Sequence, residues 1–294
     1  MNPAITQMLA SYTLLTPEEY AQALKEILQQ IALLGLWRAR FYEHASFYGG
    51  SALRIFYGLP RFSEDLDFSL IQNHSSFQIE PYLKAIEQEI NSFGFSFAVE
   101  KKEIKEKKTI ESAFLKGNTR INLLAIQADE KIIEGFPANQ KIKIKLEIDI
   151  FPPAEGSHEV KTLLVPIPFQ VKVFTLADLF AGKLHAVLCR QWQSRVKGRD
   201  FFDLIWFIGK NVPCHLAYLK EKMVQTAHWL AEDNLTRETL LKLLENKITQ
   251  VDIHKAKEDI KPFIKDQHSL SLWTPDFFLQ AIQAIRIIES EQVS

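Results

Sequence analysis

Cysteine is scarce in this chain: two residues in 294, Cys189 and Cys214, neither in a Cys-x-x-Cys pair. That speaks against a disulfide scaffold or a thiolate zinc site and fits a reducing compartment, so the expected location is the cytoplasm. An excess of charge of either sign is missing too. Lys and Arg number 35 against 36 Asp and Glu, for a formal net charge of −1. No global field would draw such a chain to nucleic acid, and any such contact must come from local basic patches. No apolar run is long enough to cross a bilayer, so no membrane partner is expected. The opening MNPAITQMLASYTLL has neither a basic start nor a long apolar core, so no secretory leader is expected. The eight histidines do not cluster at ligand spacing; His185 reads as a polar face residue. Repeats and low-complexity segments are absent. What remains is an ordinary globular composition, 47% hydrophobic and 24% charged, with room for one large or two ordinary domains.

The chemistry concentrates around Gly49-Gly50-Ser51-Ala52-Leu53-Arg54, followed by Pro60-Arg61-Phe62-Ser63-Glu64-Asp65-Leu66-Asp67-Phe68. The pattern predicts a glycine turn, a short helix over 51–57, a polar turn and a strand. On a strand, residues two apart share a face, so Asp65 and Asp67 project together. Two adjacent carboxylates repel unless a cation lies between them. Mg²⁺ suits such a pair because it accepts one or two carboxylates and keeps several waters. Gly49-Gly50-Ser51 admits close backbone approach and leaves N–H groups at a helix start, where phosphate binds. A phosphate cradle beside a divalent metal suits phosphoryl or nucleotidyl transfer. Asp-x-Asp by itself reads as a solvated turn; the glycines upstream and the apolar frame of Phe62, Leu66 and Phe68 turn the balance.

Thr16-Pro17-Glu18-Glu19 is a capping box with proline at the first helical position, predicting a helix to Leu36 with Tyr20, Leu24, Ile27, Leu28, Ile31 and Leu34 buried. A further helix is predicted over 81–93, and Phe95, Phe97 and Val99 alternate as on a strand. The charge run 101–108 reads as a solvated hairpin end. Segments 114–118 and 120–125 read as strand, with Gly117-Asn118 as the turn between them. Residues 141–150 alternate strictly, with Ile142, Ile144, Leu146, Ile148 and Ile150 on one face and Lys141, Lys143, Lys145, Glu147 and Asp149 on the other. After Pro168 the pattern changes to helix, capped by Thr175. Lys183, Val187 and Arg190 share one helical face. Beyond the basic turn Arg195-Val196-Lys197-Gly198-Arg199, Asp200 and Asp203 share a face of the next helix. A salt-bridged hairpin, Arg199 with Asp203 and Lys183 with an acid, is the plain reading of that region.

The run GGSALRIFYGLPRFSEDLDFSL resembles the nucleotidyltransferase superfamily, marked by Gly-Ser followed by Asp-x-Asp, and more closely its AbiEii/AbiGii toxin branch. The Lys…Arg…Lys-Gly-Arg-Asp-x-x-Asp-Leu constellation over about 175–206 resembles the same branch. The resemblance implies Mg²⁺ held by Asp65, Asp67 and a third acid from the 141–150 strand. Glu147 and Asp149 both qualify on face, and Asp149 is preferred. It implies nucleotide contacts from Gly50, Ser51, Arg54, Lys183, Arg190, Arg199 and Asp203. Asp149 or Asp200 would activate the acceptor hydroxyl, and Lys183 and Arg190 would neutralise the leaving pyrophosphate. The implied activity is transfer of a nucleoside monophosphate from an NTP to RNA, tRNA first among acceptors. The implied setting is a toxin–antitoxin pair with a separate antitoxin protein. A protein or small-molecule acceptor, or a silent nucleotide-binding regulator, are the other readings. The expected fold is α/β (α+β): a small mixed sheet nucleotidyltransferase core over 1–172, then an all-helical domain over 173–294 completing the nucleotide site.

Overall fold

The computed structural model describes residues 2–73, 77–101, 109–191 and 196–288. Arg195 and residues 102–108 of the charge run lie outside the described residues. The chain forms two compact units. The first comprises Met1–Phe56, Phe62–Pro152 and Glu159–Val173; the second comprises Tyr57–Arg61, Pro153–His158 and Phe174–Ser294.

In the first unit, α1 (Pro3–Leu9) precedes α2 (Pro17–Arg38). The capping box holds: Thr16 accepts from the Glu19 N–H, and the Glu19 carboxylate accepts from the Thr16 N–H. Leu24, Ile27, Leu28, Ile31 and Leu34 are wholly buried, and Tyr20 is half-buried. Burying each such aliphatic side chain contributes about 1.5–3 kcal/mol. The other helices are α3 (Gly49–Tyr57), α4 (Glu80–Ser92), α5 (Thr119–Ala125) and α6 (Glu130–Glu134).

Seven strands form one mixed sheet: β1 (Ala45–Tyr48), β2 (Leu66–Leu70), β3 (Ala98–Lys101), β4 (Ile110–Asn118), β5 (Lys141–Asp149), β6 (His158–Leu163) and β7 (Phe169–Phe174). Their order is β3-β4-β5-β2-β1-β7-β6. The central pair β2 and β5 is parallel, and β1 runs antiparallel to β2 but parallel to β7. As the alternation predicts, Ile142, Ile144, Leu146 and Ile148 are buried.

Two expectations for this region need correction. Residues 120–125 are helix, not strand, because Asn118 is an N-cap: its side chain accepts from the Ile121 N–H at 3.1 Å. The switch to helix comes after Phe174 rather than Pro168. Phe169, Val171 and Val173 are buried on alternate positions, the period of a strand, while Gln170 faces outward.

The second unit contains α7 (Leu176–Cys189), α8 (Gly198–Gly209), α9 (Leu216–Gln225), α10 (Arg237–Gln250), α11 (Ile253–Ile260) and α12 (Pro275–Ile282). Phe180 of α7 and Phe207 of α8 stack at 4.6 Å. The unit is not wholly helical: β8 (Cys214–His215) and β9 (Ile287–Ile288) pair in parallel, and two-residue strands carry no alternation to read. Thr175 stands at the N-cap of α7 but caps no backbone N–H. Its hydroxyl instead donates to Asp178 at 3.1 Å, and Asp178 also takes the Ser157 N–H at 2.6 Å and faces His215 at 2.5 Å. Both cysteines are free and buried. No helix among the described residues is long and apolar enough to cross a membrane.

Candidate functional site

In the first unit the acid loop is fastened from three directions. Ser51, in the first turn of α3, is fully buried, and its hydroxyl donates to the Asp65 carbonyl. Gln29 of α2 donates to the Ser63 carbonyl at 3.2 Å and to the Ser51 hydroxyl at 3.4 Å. Lys25, one turn earlier, holds Glu64 at 3.1 Å. The Ser51 hydroxyl, expected from the sequence to grip phosphate, bonds the backbone of the acid loop here. Gly49 adopts φ +81°, and a Cβ there would lie 2.3 Å from Asp67 Oδ2. Glycine is required twice over, by the left-handed backbone and by the carboxylate resting against it.

Asp65 lies one residue ahead of β2 and Asp67 is its second residue; both are half-buried. Asp67 registers with Tyr48 on one side and with Glu147 on the other. Asp149 registers with Ser69, and its carboxylate accepts the Phe151 N–H at 3.0 Å. The register therefore sets Glu147, of the two acids that alternation left open, directly opposite Asp67. Glu147 also meets Lys145 at 2.6 Å. Among the described residues no group of three or more His, Cys, Asp or Glu is gathered tightly enough to hold a metal by itself. Two carboxylates at a helix start still suit Mg²⁺, whose remaining ligands are water and substrate phosphate.

Arg54 donates to Glu26 at 2.9 Å and lies over the Phe62 ring at 4.9 Å. Tyr12 donates to the other Glu26 oxygen at 2.8 Å. Burial and then the Glu26 charge push the Tyr12 hydroxyl well above its ordinary range. Along the sheet, Lys143 registers with Lys116, and Lys141 and Lys143 are exposed.

The second unit gathers the remaining expected residues. Lys183 meets Asp203 at 2.8 Å, and Arg190 meets Asp200 at 2.5 Å, lacing α7 to α8. Arg199 is not the partner expected for Asp203; its guanidinium lies over Phe263 at 4.3 Å. Arg61 takes that place, donating from two nitrogens to the two Asp203 oxygens at 2.6 Å each. Arg61 stood in the quoted motif without a role, and only its basic character in an apolar frame hinted at one. Burial pushes the Asp203 carboxyl up, but the Arg61 and Lys183 charges outweigh it and hold it below the ordinary range. Asp200 goes the other way: burial raises it, against the lowering effect of Arg190 and Lys183. His185 shares a hydrogen bond with Thr226 at 2.9 Å, and burial followed by the Lys222 charge lowers it to about 4. A neutral ring bonded to a hydroxyl fits the polar face residue expected.

The family model described as nucleotidyl transferase AbiEii toxin, Type IV TA system, matches residues 31–281. Among solved structures, JHP933 from Helicobacter pylori is similar at 17% identity and TM-score 0.48, over 88% of this chain and 89% of that one. A putative nucleotidyltransferase from H. pylori is similar at 17% identity and TM-score 0.45, over 87% and 90%. No curated protein matches the chain.

Proposed function

We propose that this chain, which belongs to the nucleotidyl transferase AbiEii toxin family and is a nucleotidyltransferase, moves a nucleoside monophosphate from an NTP to an RNA hydroxyl, with tRNA as the acceptor class. The observation that carries the reading is the acid loop: Asp67 against Gly49, and Ser51 at the start of α3 donating to the Asp65 carbonyl. In the reaction an acceptor oxygen bonds to the α-phosphorus, the bond from that phosphorus to the bridging oxygen breaks, and pyrophosphate leaves. The acceptor proton goes to a carboxylate.

Asp65 and Asp67 would hold Mg²⁺, which when bound neutralises phosphate charge and aligns the triphosphate. The Gly50 N–H at the helix start suits a phosphate oxygen. Ser51 acts through Asp65 as a positioning residue. Asp149 and Asp200 remain the proposed proton acceptors, and Glu147 joins them through its register with Asp67. The raised proton affinity of Asp200 suits that task. Lys183 and Arg190 are proposed to offset charge on the leaving pyrophosphate, with Arg54, Arg199 and Asp203 supporting the nucleotide. A separate antitoxin protein is the proposed regulatory partner.

An RNA acceptor is supported by the exposed Lys141 and Lys143 on the strand face that also carries Glu147 and Asp149. Binding through phosphates weakens steeply with salt. Incubation with labelled NTPs, total RNA and total protein tests the proposal. Label on RNA that falls sharply from low to moderate salt, with the fall flattened by Lys141→Ala with Lys143→Ala, is expected. Label confined to protein would overturn the RNA acceptor.

A further inference from the structure

A concave site in the first unit lies apart from the acid loop. A cavity of about 600 Å³, within the size range of small-molecule sites, opens beside the C-terminal end of α2. Trp37, Arg38, Arg40, Tyr42, Glu43 and Lys172 are among its lining residues. None of the residues assigned to nucleotidyl transfer lines it. It also lies away from Asp67 along β1: Tyr42 and Glu43 precede the first residue of that strand, whereas Asp67 registers with its last, Tyr48.

The lining combines an aromatic surface with cations. Trp37 is 41% exposed and has the Phe169 ring beside it at 6.2 Å, tilted rather than stacked. The lining carries three cationic side chains, Arg38, Arg40 and Lys172, and two of them have an acid beside them. Arg40 pairs with Glu43 at 2.7 Å, and Arg38 stands 3.4 Å from Glu89. Among the described residues, none forms an ion pair with Lys172. Arg40 also holds φ +60°, a left-handed conformation uncommon for a residue with a side chain and one that recurs at ligand sites.

Arginines at the end of a helix also complement its dipole, which would explain Arg38 and Arg40 without any ligand. That account does not reach Lys172, which comes from β7, nor the exposed indole. We infer that the cavity binds a nucleotide, with its base on Trp37 and its phosphate on Lys172, Arg38 and Arg40. Base–aromatic stacking and cation–phosphate contacts are the chemistry of sequence-tolerant nucleotide binding. A free nucleoside monophosphate and an unpaired nucleotide within an RNA chain present the same two features. The inference does not depend on the acid loop being the transfer site.

Equilibrium dialysis with AMP in EDTA tests it, using the full chain and keeping metal-dependent triphosphate binding out of play. Trp37→Ala and Lys172→Glu should each weaken AMP binding roughly 5- to 100-fold, while Asp65→Asn leaves it unchanged. Adenosine, lacking the phosphate, should bind more weakly than AMP. A 5′-phosphorylated hexa-adenylate then separates the sources. Tighter binding than AMP with the same variant dependence identifies an RNA segment, and equal binding identifies the free nucleotide. Lys172→Glu changes a side chain outside the core, so it stays informative if Trp37→Ala melts early. The inference fails if wild type binds neither probe, if adenosine matches AMP, or if Lys172→Glu binds as wild type does. AMP binding lost in Asp65→Asn and kept in Lys172→Glu would place the nucleotide at the acid loop. That result would overturn this inference and leave the transfer proposal standing.

Discussion

Asp203 and Asp67 show two ways of handling an aspartate. Asp203 is fully buried and receives Arg61 through two hydrogen bonds at 2.6 Å and Lys183 at 2.8 Å. The chain supplies that carboxylate with cations of its own. Asp67 is half-buried, rests against a bare glycine Cα and has another acid, Glu147, opposite it in the sheet. Acid beside acid repels, and Lys145, 2.6 Å from Glu147, offsets part of that repulsion. The first arrangement holds the protein together, and the second is suited to a ligand.

The largest effect that would break this contrast concerns activity. Asp67→Asn and Asp65→Asn should each remove transfer, while the melting temperature stays level or rises as repulsion is relieved. Melts and labelled-NTP assays on the same samples decide it; residual transfer in both variants would sink the metal role.

Arg61→Ala should do the reverse to the fold. It leaves Asp203 buried with one cation fewer, and breaking a buried pair typically costs about 3–5 kcal/mol. Urea unfolding measures the loss, and a shift below about 1 kcal/mol would show that Lys183 alone suffices for Asp203.

Lys183→Ala sharpens the comparison, since Arg61 still satisfies both Asp203 oxygens. Its stability loss should be smaller than that of Arg61→Ala, while turnover falls roughly 10²- to 10³-fold if the ammonium stabilises transition-state charge. Unchanged kinetics would make Lys183 a structural partner only. Lys183→Arg is the companion variant, because a planar fork does not reproduce a point charge.

Gly49→Ala should cost about 1–3 kcal/mol and displace Asp67, since its Cβ would crowd the carboxylate. Gly58→Ala is the control: φ is +75° but nothing lies within 4 Å of the added carbon. It carries only the backbone penalty, about 1 kcal/mol. Equal losses in the two variants would mean that Asp67 does not press on Gly49.

The smallest effect is in the pH dependence. Asp203 is held below its ordinary range, so its stabilisation is present above the unfolded pKa, about 3.9. It is lost as pH falls through the lower folded value. Asp200 is raised, so its folded form keeps the proton longer and its contribution falls as pH rises through that window. Asp200→Asn should steepen the net gain of stability with pH across the carboxylate range, and Asp203→Asn should flatten it. Urea midpoints over that range give the slopes; an unchanged slope in Asp203→Asn would contradict the sign assigned to it.

Much of this architecture was legible beforehand because it rests on local rules. The capping box at Thr16 and the alternation of 141–149 are short-range patterns, and each element stands where its pattern puts it; α3 starts two residues before the expected 51, with Gly49 and Gly50 in its first turn rather than in a turn ahead of it. Short-range reading failed where two local signals conflicted. Asn118 is as good a turn residue as a helix cap, and its bond to the Ile121 N–H decided for helix. It also failed for β8 and β9, whose residues are joined only by pairing across the unit.

The order of residues by itself determined which side chains share a face along 141–149 of the strand; it did not do so for Lys183 and Arg190, because α7 ends at Cys189 and Arg190 is extended, ψ 128°. Period sets faces through backbone geometry alone. It does not set register, and so could not choose between Glu147 and Asp149 as the neighbour of Asp67. That choice came from the parallel pairing of β2 with β5. Nor could it find Arg61 for Asp203, because the two lie 142 positions apart. A buried carboxylate must be neutralised by whatever cation the packed chain delivers, and only the tertiary structure says which one arrives.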